Sequence, residues 1–155
     1  MQLLIYVAAP WKRKDEAREA KCILEKEGFI VTSRWIDLHG DVDKMDPSTR
    51  AYIEEQSIHD VEDVYDADVL VLLNLEKSEG KACETGMALA EGIPVILVGE
   101  RTNIFHWLPV IVQVDNLQGA ISQLKEWSKV IDAHLAAEAA LPFTEGEILS
   151  PIEEA

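Results

Sequence analysis

Basic residues are scarce in this chain. Lys and Arg number 14 against 29 Asp and Glu, which leaves a formal net charge of −15 over 155 residues. That balance argues against a nucleic-acid polymer as partner, because phosphate backbones are bound by clustered Lys and Arg. A small anionic ligand stays open, since one or two basic groups and backbone N–H donors can hold it. Cysteine is scarce as well. Cys22 and Cys83 fall on separate predicted helices without metal-ligand spacing, so no disulfide framework, zinc site or other metal site is expected. No apolar run reaches the length of a membrane span. Met1 to Ala9 is apolar but short and has no basic flank, so it reads as a strand rather than a signal peptide. A cytoplasmic protein is the expectation. Internal repeats and low-complexity segments are lacking too.

What is present is ordinary globular composition, with 48% hydrophobic and 28% charged residues, in a length that suits one domain. We expect that domain to span residues 1–140. An acidic tail at 141–155 carries two prolines and little periodicity. Along the domain, apolar β-rich runs alternate with helical spacing. Leu3 to Ala8 reads as a strand and Lys12 to Glu27 as a helix ending at Gly28. Phe29 to Ile36 reads as a second strand, and Asp37 to Lys44 as a loop. Asp46-Pro47 starts a helix that runs to about Tyr65. Val69 to Leu73, Pro94 to Val98 and Val110 to Val114 read as strands. Lys81 to Ala90 reads as a helix closed by Gly92, and Leu117 to about Ala139 as the last helix. Such alternation predicts an α/β fold: a flavodoxin- or Rossmann-like three-layer sandwich around a mainly parallel five-stranded sheet. With the first strand central, the loops Ala8 to Arg13 and Asn74 to Lys81 flank one crevice at the carboxyl ends of the strands, where open α/β sheets bind ligands.

One stretch stands out beside that crevice, Ser78-Glu79-Gly80-Lys81-Ala82-Cys83-Glu84-Thr85-Gly86-Met87-Ala88. Glu84 lies among small residues and has little packing reason to be there, although a first-turn acid also complements a helix dipole. Tyr6 is expected at the end of the first strand. Asp60 sits seven residues after Ile53, at or beside the apolar stripe of its helix. It belongs to an acidic run in which most charges form a solvated face. Ser78 and Gly80 are turn residues that also suit phosphate or hydroxyl binding.

Several motifs together carry a resemblance. Ser78-x-Gly80-x-x-x-Glu84-x-Gly86-x-Ala88-x-Ala90-x-Gly92-x-Pro94-Val95 resembles the nucleoside 2-deoxyribosyltransferase superfamily, which includes 2'-deoxynucleoside 5'-monophosphate N-glycosidases. Ile5-Tyr6 before a small-residue turn is similar to the first strand of that family. Asp60, eight residues before Asp68, falls at the position of its catalytic aspartate. Gly99 to Pro109 resembles a segment of small bacterial and phage members. The likeness spans roughly residues 3 to 115.

The resemblance implies a retaining reaction at an N-glycosidic carbon. Glu84 would be the nucleophile that forms a glycosyl ester, Asp60 the proton donor and acceptor, and Tyr6 the group that orients Glu84. Small residues around Glu84 would tighten the pocket on a sugar lacking a 2'-hydroxyl. Substrate would also touch Ala8, Lys12, Ser78, Gly80, Asn103 and His106. Capture of the ester by a second base makes a transferase; capture by water makes a hydrolase. Within the family, a serine six residues before the nucleophile faces a 5'-phosphate, whereas transferases often carry an acid there. Ser78 therefore keeps the hydrolase open beside the favoured transferase, and Lys12 could add positive charge. No cofactor is implied. The family implies a homodimer or higher oligomer with shared sites, in which Asn103 or His106 of the aromatic segment Asn103 to Pro109 reaches a partner's pocket. Two further readings are a Rossmann-like nucleotide sensor without a nucleophile and an NAD-cleaving glycosidase.

Overall fold

The computed structural model describes residues 2–38 and 47–139. The tail at 141–155, most of the 37–44 loop and the Asp46 cap lie outside the described residues. Five strands, β1 (Leu4–Ala8), β2 (Ile30–Val31), β3 (Val69–Leu73), β4 (Val95–Val98) and β5 (Ile111–Val114), form one sheet in the order β2-β1-β3-β4-β5. All pairings are parallel. The four long helices are α1 (Lys14–Lys26), α2 (Arg50–Tyr65), α3 (Glu79–Ala90) and α4 (Leu117–Ala139). The three-layer α/β reading and the flavodoxin-like order hold, with β1 interior and β3 the middle strand.

Strand composition explains the layering. Every residue of β3 is buried, and β1 is buried from Ile5 to Ala8. A strand apolar on both faces needs cover on both. Right-handed crossovers supply it, because the chain leaves β1 toward one edge of the sheet and returns from β2 toward the other. α1 packs on β1 and β2, and α4 on β4 and β5. Lys125 of α4 reaches Glu27 just past α1, so these two helices share a face. α2 and α3 pack together on the other, where α3 touches β1, β3 and β4. Register then fixes which strand residues meet α3. Tyr6 pairs with Leu70 and Ala8 with Leu72, so all four point to the same face.

Two elements differ from expectation. The second strand is two residues long rather than spanning Phe29 to Ile36. Its continuation fails because the Ser33 hydroxyl takes the backbone's place. It accepts from Val7 N–H at 2.6 Å and donates to Val7 C=O at 3.3 Å. The chain then turns into a 3-10 helix at Arg34–Asp37. Asp63 of α2 locks that turn, accepting from Arg34 N at 2.8 Å and Arg34 Nε at 2.7 Å, and is itself 5% exposed. Trp35 Nε1 donates to Val7 O at 3.1 Å. Secondly, Asn103 to Pro109 is not a plain loop: Ile104–Trp107 is a 3-10 turn capped by the Asn103 side chain, which accepts from the N–H groups of Phe105 and His106.

Candidate active site

Three sequence-predicted residues meet on the α2/α3 side of β1. Tyr6 is in the middle of β1, not at its end, and is fully buried. Its hydroxyl is directed to α3 by the face it shares with Leu70. Glu84 stands in the second turn of α3 and Asp60 in the later turns of α2, both half-buried. The Tyr6 hydroxyl and Glu84 Oε2 are both shielded from solvent, and neither completes a regular hydrogen bond. They are close enough to act on one another. Burial pushes the Glu84 carboxyl up to about 8, with the Asp60 charge adding to the rise and the Tyr6 hydroxyl opposing it. Burial also raises Asp60, to about 6, helped by the Asp63 carboxylate and opposed by Arg34 and His59. Tyr6 is pushed far above the usual phenol range, first by burial and then by the charges of Glu84 and Asp60. The phenol is therefore a permanent O–H donor.

Two coupled carboxyls titrate as a pair. With steps near 6 and near 8, the pair carries about one proton and one negative charge at neutral pH. These values put the proton on Glu84 and the charge on Asp60, so Glu84 can act as a nucleophile and Asp60 as an acid only once that proton has passed between them. On this geometry kcat/KM for any reaction the pair controls should be bell-shaped, rising as pH passes about 6 and falling as it passes about 8. A rate flat between those limbs and beyond them would show that the pair does not control the reaction.

The surroundings of Glu84 differ from expectation. Ala82, Cys83 and Gly86 are exposed rather than wrapped around it. Helix geometry explains this, since residues two apart lie about 200° apart around the axis. Ala82 and Gly86 accordingly face away from Glu84. With Leu89, Ala90, Phe105 and Leu108 they line a separate apolar groove of about 440 Å³.

Other predicted substrate residues gather elsewhere. Ser78, Asn103 and His106 line one cavity of about 300 Å³ between α3 and the 3-10 turn at Ile104–Trp107. The Ser78 side chain caps α3, accepting from Lys81 N at 3.5 Å. His106 is buried, with Nδ1 accepting from Thr102 N at 3.2 Å. Gly80 is exposed in the first turn of α3, Ala8 is buried at the end of β1, and Lys12 is exposed in the 3-10 turn Trp11–Arg13. Among the described residues no cluster of three or more His, Cys, Asp or Glu could hold a metal, and no helix is long and apolar enough to cross a membrane.

Sequence reasoning passed over Lys81. It is 6% exposed, and its ammonium donates to Asn74 Oδ1 and the Glu76 carbonyl. The signal was available: a charge within a small-residue stretch, three places before Glu84. Asp63 and Arg34 were also missed, since nothing in an acidic helix marks the one carboxylate that is buried.

No protein-family model matches the chain, and no curated protein matches it. Solved structures do. A 2-deoxyribosyltransferase from the psychrotolerant bacterium Bacillus psychrosaccharolyticus is similar with TM-score 0.56 and 20% identity, covering 76% of this chain and 90% of that one. The CMP N-glycosidase BcmB of Clostridium botulinum is similar with TM-score 0.50 and 17% identity, covering 79% of this chain and 98% of that one. The chain has the flavodoxin-like α/β fold of this deoxyribosyltransferase and this N-glycosidase.

Proposed function

We propose that the chain is a nucleoside 2-deoxyribosyltransferase. The observation that carries this reading is the Tyr6–Glu84–Asp60 group between β1, α2 and α3, where two carboxyls share about one proton beside a neutral phenol. Glu84 Oε attacks C1' of a 2'-deoxynucleoside as the C1'–N bond breaks. The Asp60 proton goes to the departing base, and a glycosyl ester on Glu84 results. An acceptor base then attacks C1', its N–H proton passes to Asp60, and the ester oxygen leaves as the Glu84 carboxylate. Two inversions give net retention. The Tyr6 O–H orients Glu84 and holds its developing charge.

A second reading is supported by one observation. Ser78, where an acid would repel phosphate, opens onto a cavity with two lysines and no carboxylate. This favours a 5'-monophosphate substrate, which the family resemblance pairs with water as the acceptor. Incubation with a panel of deoxynucleosides and their 5'-monophosphates, with and without an acceptor base, separates the two. Base exchange on unphosphorylated nucleosides is expected. Release from monophosphates alone would replace the transferase by the hydrolase, and no release from any of them would sink both.

A homo-oligomer belongs to the same proposal. Ile104, Phe105 and Trp107 are 80%, 66% and 68% exposed beside the apolar groove on α3, and Leu108 and Val110 extend the patch. A patch of this kind on a chain of high negative charge is a protein-contact surface. We expect the wild type to run as a dimer or larger in light scattering, and Phe105→Asp with Trp107→Asp to run as a monomer. A monomeric wild type at micromolar concentration would remove the partner from the reading.

A further inference from the structure

Asp60 and Glu84 can serve as acid and nucleophile only while the proton they share rests on Asp60, so a group that biases this proton controls the pair. One carboxylate is placed to do so. Asp63 follows Asp60 by three residues on α2. Residues at that spacing are neighbours on one face of a helix, about 5–6 Å apart at Cβ. Asp63 is 5% exposed. A buried carboxylate needs a counter-charge and hydrogen bonds, because taking it from water is costly. Asp63 has both from one residue. Its Oδ2 accepts from Arg34 N at 2.8 Å and its Oδ1 from Arg34 Nε at 2.7 Å. Both oxygens are fixed, and the charge stays one turn from Asp60.

Arg34 is anchored in turn. Its Nη2 donates to the His59 carbonyl at 3.2 Å and to Glu62 Oε2 at 3.0 Å. The guanidinium thus grips the turn of α2 that carries Asp60. Thr32 Oγ1 donates to the Asp63 carbonyl at 2.9 Å and ties the same turn to the end of β2. The charged and titratable groups facing Asp60 come from four elements. They are His59 and Asp63 on α2, Arg34 on the 3-10 turn, Tyr6 on β1 and Glu84 on α3. Asp63 raises the proton affinity of Asp60, while Arg34 and His59 lower it. The Glu84 value is set instead by burial, the Asp60 charge and the Tyr6 hydroxyl. Asp63 therefore acts on one carboxyl of the pair rather than on both.

We propose that Asp63, held by Arg34, is a positioning residue for the shared proton: a carboxylate one turn from Asp60 favours the arrangement with the proton on Asp60 and the negative charge on Glu84. In reaching that arrangement a proton leaves the Glu84 carboxyl and joins an Asp60 oxygen. The pair keeps its net charge, and Glu84 becomes the carboxylate that attacks C1'. Negative charge at Asp63 repels negative charge at Asp60 and so lowers the cost of the transfer. Arg34 keeps Asp63 in register and moderates its field, so the two members of one ion pair act on Asp60 with opposite signs. The proposal rests on the reading of Glu84 as nucleophile and Asp60 as proton donor, and adds to it a buried residue that acts through Asp60.

The pH profile of Asp63→Asn tests it. Asparagine keeps the shape and loses the charge. The ascending limb of kcat/KM, near 6 in the wild type, should move to lower pH by about 0.5–1 unit, the reach of one charge at this spacing. The maximum should fall by the matching factor, about three- to tenfold, with KM unchanged. Arg34→Gln should move the limb the other way, to higher pH. The backbone N–H at that position still holds Asp63 Oδ2, so this variant decides alone if Asp63→Asn does not fold. A structural defect would slow both variants without moving the limb in opposite directions. NMR titration of the Asp60 carboxyl carbon, assigned by its loss in Asp60→Asn, reads the same displacements without substrate. If these displacements occur in a chain that releases no base, the action of the pair on Asp60 stands and the nucleophile reading fails. The proposal is overturned if the Asp60 titration is unmoved in folded Asp63→Asn, if both variants move it the same way, or if Arg34→Gln leaves it in place when Asp63→Asn does not fold.

Discussion

Glu84→Gln should abolish base release, by about 10⁴-fold or more in kcat/KM, the scale on which removal of a covalent nucleophile is felt. The argument begins with position. Glu84 Oε2 is shielded from solvent and faces the Tyr6 hydroxyl, with the Asp60 charge near enough to raise its affinity for a proton. Glutamine keeps the shape and removes the attacking oxygen's charge. The same substitution should also stabilise the protein, and the pH dependence of that gain is a second, independent reading. The folded-state value for Glu84 is raised from 4.5 to about 8. Its contribution to stability is therefore fully present below about 4.5 and is lost as pH rises through about 8. Glutamine does not titrate. Chemical denaturation of the two proteins should nearly coincide at pH 4 and diverge by roughly 2–4 kcal/mol in favour of Glu84→Gln above pH 8. Retained activity would move the nucleophile elsewhere. Equal stability at both pH values would mean that Glu84 is solvated when folded.

Much of this site was legible because its signals are periodic or covalently local. Apolar runs gave β1, β3 and β4 within a residue or two, and βαβ alternation gave the parallel sheet, with β1 interior in it. Ser78, Asp60 and Glu84 were candidates on motif spacing and its family resemblance. What failed had other causes. Phe29 to Ile36 has strand composition, but the Ser33 hydroxyl captures both bonding groups of Val7 and ends the ladder early. Local propensity contains no information about that long-range bond. The small residues of α3 were read as the wall around Glu84 because they adjoin it in sequence; on a helix, adjacency at two places means opposite sides. Lys81 stands out in sequence only as a charge among small residues; its burial depends on Asn74 and the Glu76 carbonyl, which lie in the loop between β3 and α3. The grouping of Ser78, Asn103 and His106 depends on how the Ile104–Trp107 turn folds back over α3, and no periodicity encodes that.

Asp60→Asn is expected to lower base release by about 10²–10⁴-fold, the usual contribution of a positioned proton donor. Its size should depend on the leaving group. A base that must be protonated to depart feels the whole loss, whereas a base already cationic, such as one methylated on a ring nitrogen, leaves without a proton and should be nearly unaffected. That contrast separates an acid from a residue that merely holds the pocket together, since a structural defect would slow both substrates alike. The pH profile should change in a related way. In the wild type the Asp60 charge raises Glu84, so its removal lets the Glu84 value fall below about 8. The descending limb belongs to loss of the shared proton, which the variant no longer uses. The bell should become a single rise to a plateau, with its midpoint set by Glu84 alone. A variant that keeps both limbs would assign the proton to another group. Of the charges facing Asp60, Asp63 is the carboxylate that raises it, while Arg34 and His59 lower it. Asp63 is held by Arg34 N and Nε, so it stays in place when Asp60 is replaced. The change in profile can then be ascribed to Asp60 itself and not to a collapse of the α2 contact with the Arg34–Asp37 turn.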